Sequence, residues 1–130
     1  MEWLKKLFGK AKSKTEIPPM PSWEEIIEIM YDKSLEFSNG VSIIRIIYSN
    51  DKDKRYILLK SDRGFYKYIY QEIRGFTDYE WPYLANLDEP AFWQEVRSGA
   101  FEVSIFGTEE EAMKTLVLEP NYLAYFIDQN

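Results

Sequence analysis

The residues best suited to acid–base or metal chemistry are two pairs of carboxylates, each pair separated by a single residue. Asp51 and Asp53 lie in a polar segment, and Asp78 and Glu80 lie in an aromatic one. Carboxylates this close could bind Ca²⁺ or act as an acid and a base. Lysines alternate with the first pair, which is typical of a solvated turn. The sequence contains neither an EF-hand loop nor a phosphate-binding glycine pattern. The pairs therefore predict no catalytic residue and no metal site.

The absence of two residue types excludes much of the remaining chemistry. The chain has no histidine and no cysteine. A thiolate nucleophile, a Cys-ligated zinc and a Ser–His–Asp relay are therefore excluded. We expect a protein that is not an enzyme and uses no cofactor. The lack of cysteine is compatible with a reducing compartment, and the expected location is cytoplasmic.

Two aromatic clusters are candidate binding sites. Alternation along a predicted strand places Tyr66, Tyr68 and Tyr70 on one face, either as a stacking platform or as a core face roofed by a helix. The acidic segment 75–89 that follows could bind a ligand or partner, or its aromatic residues could plug a core edge. Its candidate binding residues are Asp78, Tyr79, Trp81 and Tyr83. One hypothesis is a small-molecule or carbohydrate-binding module that uses the tyrosine row and Trp81.

Charge is distributed unevenly along the chain. The net charge is −6, but the first fourteen residues carry five lysines against Glu2, about +4. The remaining residues therefore carry about −10. An acidic domain is a poor partner for nucleic acid and a reasonable partner for a basic protein.

Residues 1–14 predict a short amphipathic helix, and residues 1–16 are expected to precede a single domain at 17–130. A peripheral membrane contact is one interpretation, and a basic tail or a helix docked on the acidic domain is the other. The candidate membrane residues are Trp3, Leu4, Lys5, Lys6, Leu7 and Phe8. No apolar run is long enough to span a bilayer, and no signal peptide is evident.

The predicted fold is α+β, with a four-stranded, mainly antiparallel sheet and helices packed on one face. Three β-rich runs separated by turn residues form a meander over 41–76, and a fourth strand is expected at 100–107. The meander strands are Val41–Ser49, Arg55–Ser61 and Phe65–Phe76. Capping boxes at Ser22/Glu25 and Thr108/Glu111 predict helix starts, the first helix extending to about residue 34. A short helix is expected over Pro90–Arg97 and a final turn over 121–128.

Several segments between residues 20 and 126 carry a family resemblance: Ser22-Trp23-Glu24-Glu25-Ile26, Gly64-Phe65-Tyr66-Lys67-Tyr68, Phe106-Gly107-Thr108-Glu109-Glu110-Glu111-Ala112-Met113, Glu119-Pro120 and Tyr125-Phe126. Through them the sequence resembles a family of small, uncharacterised bacterial proteins, some of which resemble toxin-immunity proteins. The resemblance carries over no catalytic residue. We therefore expect an intracellular bacterial protein that binds another, basic protein, with an immunity-type role among the alternatives.

Overall fold

The computed structural model describes residues 17–31, 33, 40–85, 90–97 and 104–127. Within these ranges the chain forms four helices and one four-stranded antiparallel sheet. In chain order the elements are α1 (Trp23–Met30), β1 (Val41–Tyr48), β2 (Lys54–Ser61), β3 (Tyr66–Gly75), α2 (Trp81–Leu84), β4 (Ala91–Glu95), α3 (Glu109–Leu116) and α4 (Pro120–Tyr125). The predicted α+β class is confirmed.

The chain divides into two compact units. Among the described residues, unit 1 comprises 17–30, 74–85 and 90–92, and unit 2 comprises 31, 33, 40–73, 93–97 and 104–127. Unit 1 thus contains α1, α2 and the described part of the segment that joins β3 to β4. Unit 2 contains β1, β2, most of β3, α3 and α4. The aromatic segment therefore belongs to unit 1, and the tyrosine row belongs to unit 2.

The meander forms because β-rich segments are joined by tight polar turns, as predicted. In the first turn the amide of Ser49 donates to the carbonyl of Lys54 at 2.9 Å, and Lys52 takes a left-handed φ of 64°. In the second turn Gly64 has a φ of 89°, which favours glycine because a Cβ would be strained there. The strands then lie in the order β1-β2-β3-β4.

The fourth strand is not the one expected from the sequence. The short helix predicted over Pro90–Arg97 is wrong, because residues 91–95 form β4. The Val96 amide donates to the Tyr70 carbonyl at 2.9 Å, so the free edge of β3 offers backbone partners that outweigh the weak helix preference of this aromatic segment. Of the strand predicted at 100–107, residues 100–103 lie outside the described residues, and Phe106 forms an isolated antiparallel bridge with Tyr66.

A β-bulge interrupts β1 and changes which way its side chains point. Ile43 is opposite Leu59 and Arg45 is opposite Leu58, so β1 uses one residue more than β2 over this step. The extra residue places Ile43 and Arg45 on opposite faces of the sheet, although they are two positions apart. The Arg45 guanidinium then pairs with the Glu109 carboxylate of α3 at 2.9 Å.

Helices cover one face of the sheet, as predicted. We call it the tyrosine face, and its buried cluster consists of Tyr56, Leu58, Tyr68, Tyr70, Ala112 and Leu116. Ala112 and Leu116 lie one turn apart on α3, so both point toward the sheet. Tyr122 and Phe126, in and just after α4, pack against the same cluster. Burial of each large side chain here contributes about 1.5–3 kcal/mol to folding.

The opposite face of the sheet is aliphatic. Ile57, Leu59 and Ile69 are buried there, and Val41 and Ile46 pack beside them. These residues share a face because the register pairs Ile57 with Ile69 and with Ile46 on the neighbouring strands. We call this surface the isoleucine face. Alternation along β2 thus separates an aromatic layer from an aliphatic one.

Both predicted helix starts carry a side-chain cap, with a reciprocal capping box at Ser22/Glu25, while at Thr108/Glu111 the Glu111 carboxylate accepts instead from the Gly107 amide at 3.2 Å. The Ser22 amide donates to Glu25 Oε1 at 2.8 Å, and the Glu25 amide donates to Ser22 Oγ at 3.2 Å. At the start of α3 the Glu111 amide donates to Thr108 Oγ1 at 3.1 Å. These bonds satisfy amides that the first helical turn leaves without an intrahelical partner. The first helix ends at Met30, earlier than predicted.

Candidate binding surface

The aromatic segment after β3 is held in a defined shape by side-chain hydrogen bonds. The Thr77 amide donates to Glu80 Oε1 at 2.8 Å, and the Glu80 amide donates to Thr77 Oγ1 at 3.1 Å. This reciprocal pair orders the turn directly before α2, and the first turn of α2 contains Pro82. The indole Nε1–H of Trp81 donates to the carbonyl of Pro18 at 2.7 Å. The segment is therefore anchored at its start and through Trp81.

Tyr79 and Tyr83 stand side by side on this anchored segment. They are one helical turn apart, and their ring centroids are 6.5 Å from each other. Tyr79 is 82 % exposed and Tyr83 is 51 % exposed. Large aromatic side chains are mostly buried in folded proteins, so this exposed pair on a hydrogen-bonded backbone is a candidate binding surface. Tyr83 does not plug the core, whereas Trp81 is half-buried and fixed by Pro18.

The described part of unit 1 is strongly acidic. Its carboxylates are Glu24, Glu25, Glu28, Asp78 and Glu80. Arg74 is the cation among the described residues of this unit. Glu25 Oε1 accepts the Ser22 amide and Glu80 Oε1 accepts the Thr77 amide, while Glu24, Glu28 and Asp78 are exposed. The described part of unit 1 therefore places aromatic rings among more carboxylates than cations.

A shallow groove lies beside the aromatic segment in the same unit. It is lined by residues 18–21 together with Glu25, Glu28 and Ile29. Pro18 both lines the groove and accepts the hydrogen bond from Trp81, so the groove and the tyrosine pair are linked through one contact. Proline rings give the groove a rigid apolar wall. This combination suits the apolar stem of a lysine or arginine whose charge meets a carboxylate.

The tyrosine row shares one face, as predicted, but two of its members lie inside the core. Tyr68 and Tyr70 are fully buried, and Tyr66 is half-buried. Tyr68 donates to Glu119 Oε2 at 2.6 Å, and Tyr70 donates to Glu72 Oε2 at 2.8 Å. Burial and then the bond to Glu72 raise the pKa of the Tyr70 hydroxyl, because both disfavour tyrosinate. In this structure the rings of Tyr68 and Tyr70 pack against protein.

The carboxylate pairs serve local structure. Asp53 accepts a hydrogen bond from Ser49 Oγ at 3.3 Å and pairs with Lys54 at 3.1 Å, which closes the first turn. Asp51 is exposed, and Glu80 belongs to the capping box of the aromatic segment. Within the described ranges, no group of three or more acidic side chains is arranged to hold a metal ion.

A buried arginine on β2 organises polar and aromatic side chains that the sequence analysis did not single out. Arg55 Nε donates to Gln71 Oε1 at 2.8 Å, and its Nη1 donates to the Tyr48 hydroxyl at 3.3 Å. The guanidinium carbon lies 3.9 Å from the centre of the Trp93 ring. The signal in the sequence is the alternation of β2, which places this charge on the same face as Ile57 and Leu59.

The residues predicted to contact a membrane, Trp3, Leu4, Lys5, Lys6, Leu7 and Phe8, lie outside the described residues. The membrane hypothesis for residues 1–14 therefore stays a prediction, as does the domain boundary after residue 16. In the part of the chain that the structure describes, no helix combines the length and the apolar character needed to cross a bilayer.

A scan of protein-family models, a search of curated proteins and a search of solved structures found no match to this chain. Function is therefore inferred from the residues and geometry of the chain itself.

Proposed function

We propose that this chain is a non-enzymatic protein-binding domain whose aromatic, acidic surface in unit 1 binds a basic partner protein. The observation that carries the proposal is the exposed pair Tyr79 and Tyr83 on a segment fixed by the Thr77–Glu80 capping box and the Trp81–Pro18 hydrogen bond. A basic bacterial toxin is one partner of this kind, which the family resemblance of the sequence also suggests.

Two exposed tyrosines on a fixed backbone have the properties of a binding centre. A tyrosine ring offers a large contact area, loses few rotamers on binding and keeps a hydroxyl for hydrogen bonding. Interface residues that dominate affinity are enriched in tyrosine, tryptophan and arginine. Because hydrogen bonds already order the segment around Tyr79, binding would cost little additional ordering.

The surrounding carboxylates specify the charge of the partner. Glu24, Glu28 and Asp78 are exposed in unit 1, and within the described residues none of the three forms an ion pair with a cation. A negative surface accelerates the encounter with a positively charged partner and repels acidic proteins. The groove lined by residues 18–21 and Glu28 gives an arginine or lysine of that partner a place to insert its stem.

Non-enzymatic binding agrees with the chemistry of the chain. It contains no histidine and no cysteine, so the commonest acid–base and nucleophilic groups are absent. Of the carboxylates singled out from the sequence, Asp53 closes a turn and Glu80 accepts a hydrogen bond from the Thr77 amide. The surface residues of unit 1 are suited to contact rather than to proton transfer.

A capture experiment with the full chain tests the proposal. Immobilised wild type and the double variant Tyr79→Ala/Tyr83→Ala are exposed to extracts of the source organism, and the recovered partner is purified and titrated by calorimetry. We expect the double variant to weaken binding by at least about tenfold, because truncation of central tyrosines commonly costs that much. The variant should unfold at the wild-type temperature, since both side chains are exposed.

Matched controls separate this surface from the rest of the protein. Leu118→Ala removes an exposed apolar side chain of unit 2, and Glu110→Gln removes an exposed charge of α3. Both should bind as the wild type does, whereas Asp78→Asn should slow association and reduce its salt dependence. A partner that binds the double tyrosine variant and the wild type equally would refute the proposal.

A further inference from the structure

Unit 2 contains a pocket of about 380 Å³ at the end of the sheet where β1 begins and β3 begins. Its apolar lining includes Val41, Leu59 and Ile69 of the isoleucine face. Phe65 and Ile105, outside the strands, and Tyr66 of β3 complete this lining. Val41, Leu59 and Ile69 thus line the pocket from the face of the sheet opposite to the tyrosine cluster.

Large apolar side chains are exposed around this pocket. Phe65 is 50 % exposed and Ile105 is 68 % exposed, while Leu59 and Ile69 behind them are buried. An apolar molecule in the pocket would cover Phe65 and Ile105 and remove their surface from water. The volume exceeds the roughly 150 Å³ of a cavity that holds benzene and falls in the range of about 300–1,000 Å³ typical of ligand pockets.

The polar lining of the pocket is mainly cationic. Lys67 points from the same face as Leu59, its register partner, and no ion pair joins it to a described residue. Arg97 Nε lies 3.9 Å from Glu95 Oε2, a long and exposed contact that contributes little. Two cations and one carboxylate thus give this pocket a positive charge in a chain whose net charge is −6. That contrast would draw an anionic ligand to the pocket.

We propose that this pocket binds a small amphiphilic monoanion of the size of a medium-chain fatty acid or an aryl carboxylate. Its apolar body packs on Leu59, Ile69 and Phe65, and its anionic group lies between Lys67 and Arg97. A carboxylate can accept hydrogen bonds from both cations at once. The proposal is independent of the protein-binding function, because its residues belong to unit 2 and the tyrosine pair belongs to unit 1.

The test compares three ligands that share one apolar chain: decanoate, decanol and decylamine, each below its micelle-forming concentration. Calorimetry on the full chain should give one site for decanoate, with affinity in the order decanoate, decanol, decylamine. Backbone amide signals of Leu59, Lys67 and Ile69 should shift on titration with decanoate. The double variant Lys67→Gln/Arg97→Gln should lose about fivefold in decanoate affinity and keep its decanol affinity.

Three further variants make the result specific. Phe65→Ala should weaken decanoate and decanol alike, because it removes apolar contact and no charge. Lys114→Gln and Leu118→Ala alter an exposed charge and an exposed apolar side chain away from the pocket, and both should bind decanoate as the wild type does. Equal affinity for decanoate and decylamine, amide shifts confined to other strands, or a wild-type response of the double variant would each overturn the proposal.

Discussion

The guanidinium of Arg55 lies 3.9 Å from the centre of the Trp93 ring, and this contact joins two strands that are not neighbours in the sheet. Arg55 comes from β2 and Trp93 from β4. Gln71 of β3, the strand between β2 and β4, accepts a hydrogen bond from Arg55 Nε. Tyr48 of β1, on the other side of β2, accepts one from Arg55 Nη1. A single buried side chain therefore contacts all four strands, which fixes their side-to-side arrangement on the isoleucine face.

We expect Arg55→Lys to lower the free energy of unfolding by about 2 kcal/mol, although the charge is conserved. An ammonium group cannot stack on Trp93 as a planar guanidinium does, and it cannot reach Gln71 and Tyr48 from two separate nitrogens. Urea denaturation followed by tryptophan fluorescence measures the loss. Arg63→Lys, in the exposed second turn, should stay within about 0.5 kcal/mol of wild type. Equal stability of the two variants would contradict this role of Arg55.

Tyr68→Phe should destabilise the protein by about 1–3 kcal/mol. The Tyr68 hydroxyl donates to Glu119 Oε2 at 2.6 Å, and both residues are fully buried, so the variant leaves a buried carboxylate short of a donor. Thermal and urea unfolding report the change. Tyr125→Phe removes a hydroxyl from a more exposed ring and serves as the control, with an expected change near zero. Unchanged stability of Tyr68→Phe would show that this hydrogen bond makes no net contribution to the free energy of unfolding.

Stability should fall at alkaline pH in a way that depends on Tyr70. Burial and the bond to Glu72 raise the pKa of this hydroxyl in the folded state, whereas the unfolded chain titrates near the ordinary value of about 10. Below that pH both states keep the proton and the full stability is present. Above it the unfolded state releases the proton first, so the free energy of unfolding decreases as pH rises.

The comparison that isolates this effect is Tyr70→Phe, measured by urea denaturation from about pH 8 to about pH 11. The variant should show a shallower alkaline decline than wild type. Tyr79→Phe, which alters an exposed ring, should keep the wild-type slope. Parallel slopes for wild type and Tyr70→Phe would mean that another group controls the alkaline decline.

Gly64→Ala should destabilise the second turn by about 1 kcal/mol. A Cβ at this position would meet no neighbouring atom, so the loss of stability comes from the left-handed φ of 89° alone. Gly107→Ala is the matched control: its Cβ would meet Glu111 Oε1 at an ordinary 3.6 Å, and its φ is not left-handed. Thermal unfolding that ranks Gly107→Ala as the more destabilising change would contradict the assignment.

Local chemistry was sufficient to predict the meander and the helix starts. β-branched runs between turn residues specify strands, and the Ser22/Glu25 and Thr108/Glu111 pairs specify caps through bonds within three residues. β4 could not be predicted in this way. Residues 91–95 have no strong local preference for strand or helix. They form a strand because they pair with the free edge of β3, which lies too far away in the sequence for a local pattern to reveal the pairing.

The sequence was sufficient to predict which aromatic residues lie together, but not which of them are exposed. Alternation correctly placed Tyr68 and Tyr70 on one face, but their burial depends on Ala112 and Leu116, which lie more than forty positions away. The segment that carries the exposed Tyr79 is shaped by the reciprocal Thr77–Glu80 hydrogen bonds, which lie outside every helix predicted from the sequence. The role of Arg55 was not predicted, because the alternation of β2 places it on a face with Ile57 and Leu59 but does not reveal the contact with Trp93, which is far along the chain.

The bulge between Ile43 and Arg45 has a consequence for how the protein behaves at high concentration. β1 is one of the two edge strands of the described sheet, and its sequence is rich in isoleucine. Exposed edge strands of this composition can pair with strands of other molecules and form fibrils. The added residue breaks the flatness of this edge, and the Arg45–Glu109 pair puts charge on it. An unbulged edge would be a template for intermolecular stacking, so one inserted residue helps to keep separate molecules from assembling edge to edge.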